Sequence, residues 1–366
     1  MKKIDSKNIV NKFRVSGEFV NAEPFGSGHI NDTLLVELLS NGKTAKYILR
    51  KINGYVFQKP GLIVENTVMI TNHIREKLRR AGEEDLKRKV LSLIETHDGK
   101  YSYVDEDGNY WCMMFFIDNA YTVDFVETGK QAYEAAKAFG KFQKYLSDFD
   151  VSKCHVTIEN FHNLSNRLSK YDNALMKDTV NRASGIKKEI ELVRKFRYIE
   201  NGFQNLRTKN IPLRITHNDT KINNVMLDMN TGKGLSVIDL DTVMPGIILN
   251  DFGDMVRTFT SPVAEDESDT SKVFVRMDIY NELVNGYLNE VKDFLTEDEI
   301  TNLAPGSKII VYEQAIRFLT DYIEGDVYYK TEYPAHNLVR AKNQFALLES
   351  IEQNFDEMQN IVERQL

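Results

Sequence analysis

The sequence predicts an α+β protein of two lobes, with a small β-rich N-terminal lobe and a larger, mostly helical C-terminal lobe. Three observations lead there. Up to about residue 120, short extended segments alternate with turn signals. Beyond it, apolar residues recur at the spacing of helices. Into that helical half is set one short β segment, residues 212–241. A chain of 366 residues is long for one simple domain and comfortable for two lobes around a cleft. The change of character divides the chain into an N-terminal lobe, 1–117, and a C-terminal lobe, 118–366.

In the first lobe the segments 18–25, 33–39 and 46–52 read as strands, with Asn41-Gly42 as a hairpin turn between the last two. A helix over 62–80 stops before Gly82. Strands at 90–95 and 110–116 follow, punctuated by Asp98-Gly99 and Asp107-Gly108. In the second lobe Ala135, Phe139, Phe142 and Leu146 mark one face of a helix over 129–149. Further helices are predicted at 159–176, 186–206, 270–292, 297–323 and 337–363.

The inserted β segment carries the chemistry. Residues 217–241 read HNDTKINNVMLDMNTGKGLSVIDLD. A strand end at Leu213 to Thr216 leads into a polar loop with His217, Asp219 and Asn224. A hairpin then returns the chain to Asp239 and Asp241. Phosphoryl transfer asks little covalent chemistry of a protein. It needs a group that orients a hydroxyl and takes its proton late, and ligands for Mg²⁺ on the donor phosphates. Asp219 fits the first task. Asn224 and Asp239 fit the second, because Mg²⁺ takes hard oxygen ligands. The spacing H-x-D-x-x-x-x-N matches the kinase catalytic loop, with Asn218 at the Arg position. His217 reads as a tie between that loop and the core.

The N-terminal lobe supplies candidates for nucleotide binding. Gly26, Ser27 and Gly28 lie between two predicted strands, where glycines let the backbone approach phosphates; a plain hairpin turn would also explain them. Arg50 falls on the position where kinases place a phosphate-contacting Lys, and Lys51 follows it. Only one of the two can face the cleft, because strand side chains alternate. Glu65, early in the next helix, could pair with that cation or be a surface residue. Phe116 and Asp118 sit at the junction of the lobes, where backbone groups and apolar side chains could hold adenine.

Asp251-Phe252-Gly253 spells a metal-binding triplet of protein kinases. It follows no apolar strand and lies too far beyond Asn224 for a simple hairpin, so Asp251 and Asp254 read as helix-start residues. Only nine residues separate Asp241 from Asp251, too few for the activation segment of a protein kinase. Protein substrates are therefore disfavoured.

Composition narrows the remaining classes. Hydrophobic residues make up 42% and charged residues 28%, as in ordinary globular proteins. A formal net charge of −7 argues against general nucleic-acid affinity. No apolar run is long enough to span a membrane, and the first residues lack the apolar core of a signal peptide. Two cysteines without metal-like spacing fit a reducing cytoplasm.

The strings FGSGHIN, HNDTKINNVMLD, VIDLDTVMPG and EQAIRFLTDYIEGDVYY together resemble the N-acetylhexosamine 1-kinases. These are bacterial enzymes within the aminoglycoside phosphotransferase/choline kinase superfamily. The resemblance covers about residues 20–340. It implies a protein-kinase-like fold, ATP and Mg²⁺, and a small-molecule sugar, GlcNAc or GalNAc, phosphorylated on the anomeric hydroxyl. It implies Asp219 as catalytic base, Asn224 and Asp239 on the metal, and His29 near the sugar or the phosphates. Arg317 and Tyr328 would contact the sugar. Read by themselves, Glu313, Arg317 and Asp321 at i, i+4 and i+8 also fit a surface ion-pair ladder. Tyr328 follows the helix stop Gly325-Asp326. Two other readings stand beside this one. A cationic alcohol such as choline or an aminoglycoside could use Glu324, Asp326 and Glu332, or the chain could be a non-catalytic nucleotide-binding module.

Overall fold

The computed structural model describes residues 5–26, 30–208 and 211–365. A short helix, α1 (Ser6–Val10), precedes strands β1 (Glu18–Pro24), β2 (Asp32–Ser40) and β3 (Lys43–Ile52). Asn41 and Gly42 both have positive φ, 51° and 73°, so β2 and β3 are joined by the two-residue turn that the sequence signals. Helix α2 (Pro60–Arg80) begins on a proline and ends before Gly82. The short α3 (Leu86–Lys89), β4 (Tyr103–Val104) and β5 (Tyr110–Phe115) complete this part. The sheet is antiparallel with order β1-β2-β3-β5-β4. Its core joins Val36, Leu49, Trp111 and Met113 with Ile9 and Phe13.

One expected strand is absent. Residues 90–95 form no regular strand and touch β5 through a single bridge, Leu93 to Met114. The outer edge of β5 is divided. Its C-terminal half meets this segment, and its N-terminal half pairs with β4 at Tyr103–Trp111 and Val104–Tyr110. Neither neighbour has room for a full ladder.

After β6 (Ala120–Tyr121) come α4 (Gly129–Tyr145), α5 (Leu164–Lys177), α6 (Lys187–Phe196) and α7 (Ile199–Thr208). Strands β7 (Arg214–Thr216), β8 (Val225–Asp228), β9 (Gly234–Val237) and β10 (Met244–Gly246) form the inserted β segment. The chain closes with α8 (Ile248–Thr260), α9 (Met277–Val291), α10 (Glu297–Thr301), α11 (Leu303–Glu324), α12 (His336–Gln353) and α13 (Phe355–Glu363). Three of the long helices expected from periodicity are each two helices. Two of the breaks fall on asparagines that bond backward: Asn302 Nδ2 donates to Asp298 O at 2.7 Å, and Asn354 Nδ2 to Ser350 O at 2.8 Å. The third lies at Arg197-Tyr198, between α6 and α7. Two other helices start later than expected, at Leu164, where the Asn163 side chain caps Asn166 N, and at Met277.

The large core sits among these helices, around Phe252, Tyr280, Tyr287, Phe318 and Phe345. Glycines let two helix pairs approach closely. A Cβ on Gly286 of α9 would meet Tyr133 O of α4 at 2.2 Å, and one on Gly253 of α8 would meet Gly306 O of α11 at 2.6 Å. The second contact sets α8, whose Asp251 and Asp254 bond the loop that carries Asp219, directly against α11. Among the described residues no helix is long and apolar enough to cross a membrane.

Candidate active site

The loop after β7 is held from several sides by groups distant in sequence. His217 is fully buried between Phe139 and Phe142, edge-to-face with each. Its Nδ1 accepts from Asp219 N–H at 3.3 Å, and its Nε2 lies 2.9 Å from Ile238 O. Those two contacts assign the Nε2–H tautomer. The imidazole thus ties the loop to the core and to the end of β9, as the sequence suggests. Asn218 adopts a left-handed backbone, φ 64°. Its Nδ2 donates to Thr242 O at 2.9 Å, and His162 Nε2 lies 3.2 Å from its carbonyl.

Asp251 and Asp254 supply the rest of the grip. Asp251 accepts from the N–H groups of His217 at 2.9 Å and Asn218 at 2.7 Å, and from Gln143 Nε2 at 2.8 Å. Asp254 accepts from Thr220 N–H at 2.8 Å and from Arg257 Nε at 2.8 Å. Both carboxylates are buried. Burial raises the carboxyl of Asp251, with His217 opposing it. Burial raises that of Asp254 too, but Arg257 outweighs it and holds the group below its ordinary value. Asp251 does lie in the first turn of α8, yet what it does is fix loop backbone. The neighbouring Phe252 and Gly253 serve packing against α9 and α11.

The loop and the hairpin then converge on one acidic face. Asp219 Oδ2 accepts from Asn224 Nδ2 at 3.1 Å and lies 3.1 Å from Lys221 Nζ. Both contacts fall on Oδ2. Asn224 Nδ2 also donates to Asp219 O at 2.8 Å, which leaves the Asn224 Oδ1 as an acceptor. Ile238 N–H donates to Asn224 O at 2.9 Å, so the hairpin sets Asp239 beside Asn224. Asp239 is itself left-handed, φ 59°, and its side chain is 36% exposed.

Arg50 reaches this face from β3. Its Nη1 donates to Asp239 Oδ1 at 2.8 Å and to Asp241 Oδ1 at 3.0 Å. Burial alone would lower the guanidinium, but Asp241 and Asp239 outweigh it and hold Arg50 charged. The two aspartates divide in response. Burial raises both, and Arg50, Lys221 and His217 reverse that for Asp239, which stays below its ordinary value. Asp241 remains raised, with the charge of Asp239 adding to its burial. Lys51 points the other way and pairs with Asp32 at 2.6 Å. The open choice between Arg50 and Lys51 is thereby resolved by the strand's alternation. Glu65 lies on neither and meets His155 Nε2 at 2.8 Å on the surface.

At the junction of the lobes, Arg88 donates to the carbonyls of Asp118 at 2.8 Å and Asn119 at 2.9 Å, and to Asp228 at 2.8 Å. Among the described residues the Phe116 carbonyl and the Asp118 N–H have no backbone partner. Phe25, before the glycine pair, packs edge-on to Phe116 at 5.8 Å. Gly26 has φ 82° and open space where a Cβ would stand. Ser27, Gly28 and His29 lie outside the described residues. Just beyond them, Asn31 Nδ2 donates to Asp241 Oδ2, which ties the start of β2 to the acidic face.

Across the cleft, the expected surface ladder on α11 is a buried site. Glu313 and Asp321 are almost fully buried. Glu313 Oε1 lies 3.2 Å from His162 Nδ1, and its Oε2 has no partner. Asp321 accepts from the N–H groups of Val327, Tyr328 and Tyr329 at 2.8–2.9 Å and so shapes the loop after the helix. Arg317 lies over the rings of Phe161 and Tyr329, each at 5.6 Å, and donates to Gln314 Oε1. Among the described residues no carboxylate comes within ion-pairing distance of it. Tyr328 is 56% exposed and packs edge-on to Tyr329. The sequence reading named Asp241 at the end of the hairpin without giving it a role, and it missed Lys221, His162 and Tyr329. One signal was available, Lys221 two residues after Asp219.

A family model described as the phosphotransferase enzyme family matches residues 21–271, more than half of the chain. The chain belongs to that family. Solved structures with the same fold include the microcompartment-associated aminopropanol kinase, at 13% identity, covering 96% of this chain and 97% of that one with a TM-score of 0.58. The aminoglycoside phosphotransferase of Alicyclobacillus acidocaldarius is 9% identical, with 98% of each chain covered and a TM-score of 0.58. Spectinomycin phosphotransferase, in complex with ADP and spectinomycin, is 14% identical, with 95% and 93% covered and a TM-score of 0.52. In this phosphotransferase-family chain, the family match spans Arg50, the junction of the lobes, the loop with Asp219 and the hairpin to Asp241. Arg317 and Tyr328 lie beyond it.

Proposed function

We propose that this phosphotransferase-family protein transfers the γ-phosphoryl group of ATP to the anomeric hydroxyl of an N-acetylhexosamine, GlcNAc or GalNAc. The observation that carries the acceptor side is Arg317, a guanidinium over two aromatic rings without a carboxylate partner. Such a group repels cationic acceptors and donates to neutral sugar oxygens. Choline, amino alcohols and aminoglycosides are cationic. Of the acids at this end of the chain, Asp326 bonds Arg182 and Asn337, Glu324 and Glu332 are exposed, and Glu313 is met by His162 and Arg167. The resemblance of the strings around Asp219 and Arg317 to N-acetylhexosamine 1-kinases supports the same acceptor.

Each residue then has a task. Lys221 and Asn224 hold Asp219 Oδ2, so Oδ1 is free to orient the acceptor hydroxyl and to take its proton as the bond to phosphorus forms. Tyr328 joins Arg317 as a contact to the sugar, and His29 serves the sugar or the phosphates. The Phe116 carbonyl and Asp118 N–H pair with the adenine edge, and Gly26, Ser27 and Gly28 cover the phosphates. The donor set fits Mg²⁺: the Asn224 Oδ1 and an Asp239 carboxylate kept ionised are hard oxygens, and Mg²⁺ needs only one or two such groups besides phosphate oxygens. When bound there, Mg²⁺ offsets the charge of the transferring group. Arg50 neutralises Asp239 and Asp241 at the wall that faces the phosphates. ADP in the complex of spectinomycin phosphotransferase supports the nucleotide. Two free, buried cysteines, Cys112 and Cys154, support a cytoplasmic location.

ATP consumption measured over N-acetylhexosamines, hexoses, choline, amino alcohols and aminoglycosides tests this directly. Turnover is expected with N-acetylhexosamines and not with the cations. A preference for choline or an aminoglycoside would overturn the reading of Arg317.

A further inference from the structure

The segment between α8 and α9, residues 261–276, is anchored on either side of Glu265. Asn343 Nδ2 donates to Ala264 O at 2.9 Å, and Asp266 Oδ2 lies 3.3 Å from His336 Nε2. Glu265 Oε1 accepts from Arg257 Nη1. Arg257 Nε in turn donates to Asp254 Oδ1, and the other oxygen of that carboxylate accepts from Thr220 N–H. A chain of hydrogen bonds, Glu265–Arg257–Asp254–Thr220, therefore ends one residue after Asp219. The pair also acts on the groups assigned above to the acceptor. Burial lowers the Arg257 guanidinium, but Asp254 and Glu265 outweigh it, and the charge of Asp219 adds to theirs. Burial raises the Tyr329 hydroxyl, and the charge of Glu265 adds to that. Burial lowers Arg317, and the charge of Arg257 works in the same direction, though Tyr329, Glu313 and Tyr328 outweigh both. Arg257 and Glu265 thus stand within electrostatic reach of Asp219 on one hand and of Arg317 and Tyr329 on the other.

The pair has one donor and one acceptor to spare. Among the described residues neither Arg257 Nη2 nor Glu265 Oε2 has a hydrogen-bond partner. Nη2 is not sealed from solvent, and the Glu265 side chain is 37% exposed. A hydroxyl both donates and accepts, and a carboxylate beside a guanidinium meets both needs. With Arg257 already on its other oxygen, Glu265 suits a neutral hydroxyl. We infer that Arg257 and Glu265 are specificity-determining residues that read a second hydroxyl of the acceptor sugar, remote from the reacting one, which donates to Glu265 Oε2 and accepts from Arg257 Nη2. This rests on the sugar reading above and adds to it a contact on the α8 side of the cleft.

Steady-state kinetics of the full chain with ATP and Mg²⁺ test the pair. The acceptors are GlcNAc, GalNAc, and the 3-deoxy, 4-deoxy and 6-deoxy analogues of whichever the wild type prefers. Glu265→Gln keeps an oxygen for Arg257 and replaces the accepting Oε2 with an amide that only donates. Its kcat/KM for the preferred sugar should fall by about tenfold or more, mainly through KM, the effect of removing a hydrogen bond to a charged group. One deoxy analogue should lose as much with the wild type, and on that analogue the two proteins should agree within about twofold. Equal kcat/KM of Glu265→Gln and wild type on the preferred sugar would overturn the inference. So would a fall of the same size on every analogue, which marks a structural role, or a wild type that uses all three analogues as well as the parent sugar. No turnover of either N-acetylhexosamine by the wild type would overturn the sugar reading itself, and this inference with it.

Discussion

Asp239 and Asp241 stand on one side of the loop that carries Asp219, and Asp251 and Asp254 on the other. The first pair meets a guanidinium from the opposite lobe, and Asp239 keeps a third of its side chain open to the cleft. The second pair is buried, and its oxygens are filled by N–H groups of His217, Asn218 and Thr220. One pair can exchange its partner for a ligand. The other cannot let go without unmaking the loop. The same residue type thus serves chemistry or scaffold according to exposure and partner. The spelling Asp251-Phe252-Gly253 is no guide, because its Phe and Gly are engaged in helix packing.

That contrast can be broken by substitution. Asp239→Ala should lower kcat/KM by about 10³-fold or more, the several kcal/mol that a metal ligand supplies to the transition state, with little change in the unfolding midpoint. Asp251→Ala should do the reverse in kind. It leaves three buried donors unpaired, and a loss of about 3 kcal/mol or more of stability is expected in urea unfolding. A stable but inactive Asp251→Ala protein, or an unfolded Asp239→Ala protein, would contradict the division. Arg50→Lys keeps the charge but shortens the side chain, whose single Nη1 bonds both Asp239 and Asp241. It should raise KM for ATP with Mg²⁺ by roughly tenfold in steady-state assays. Glu65→Gln should leave kcat/KM within about twofold, since Glu65 pairs with His155 at the surface and surface ion pairs contribute little.

The smallest expected effect concerns pH. The Arg88 hydrogen bond, followed by those of Thr231, holds the Asp228 carboxyl down to about 2, from an ordinary value of 3.8. The folded value is the lower one. The contribution to stability is therefore present above 3.8 and is lost as acid takes the pH down toward about 2. Asp228→Asn should be slightly less stable than wild type at pH 7 by chemical denaturation, and the difference should vanish near the bottom of that window.

The site was readable in part because its core is local. His217, Asp219 and Asn224 share one loop, and a hairpin with turn residues predicts that Asp239 returns beside them. What was not readable depends on long-range packing. Asp251 reaches the loop only because Gly253 lets α8 lie against α11, and nothing in its local sequence reports that crossing. Glu313 and Asp321 have the spacing of a surface ladder, yet α11 is buried on that side, so they bond His162 and the 327–329 backbone instead. Among the elements, the hairpin at Asn41-Gly42 follows from its turn chemistry. Residues 90–95 have strand composition but share the edge of β5 with β4, and composition cannot report competition for an edge.

The most direct measurement is phosphorus NMR on the product formed from GlcNAc or GalNAc with ATP and Mg²⁺, beside the same reaction with Asp219→Ala. A phosphate resonance coupled to the anomeric proton is predicted with the wild type. With the folded variant that product should fall by about 10²–10⁴-fold, the contribution of a positioned general base. Phosphate on another hydroxyl, or an undiminished product with Asp219→Ala, would contradict the assignment of this cleft to anomeric phosphorylation.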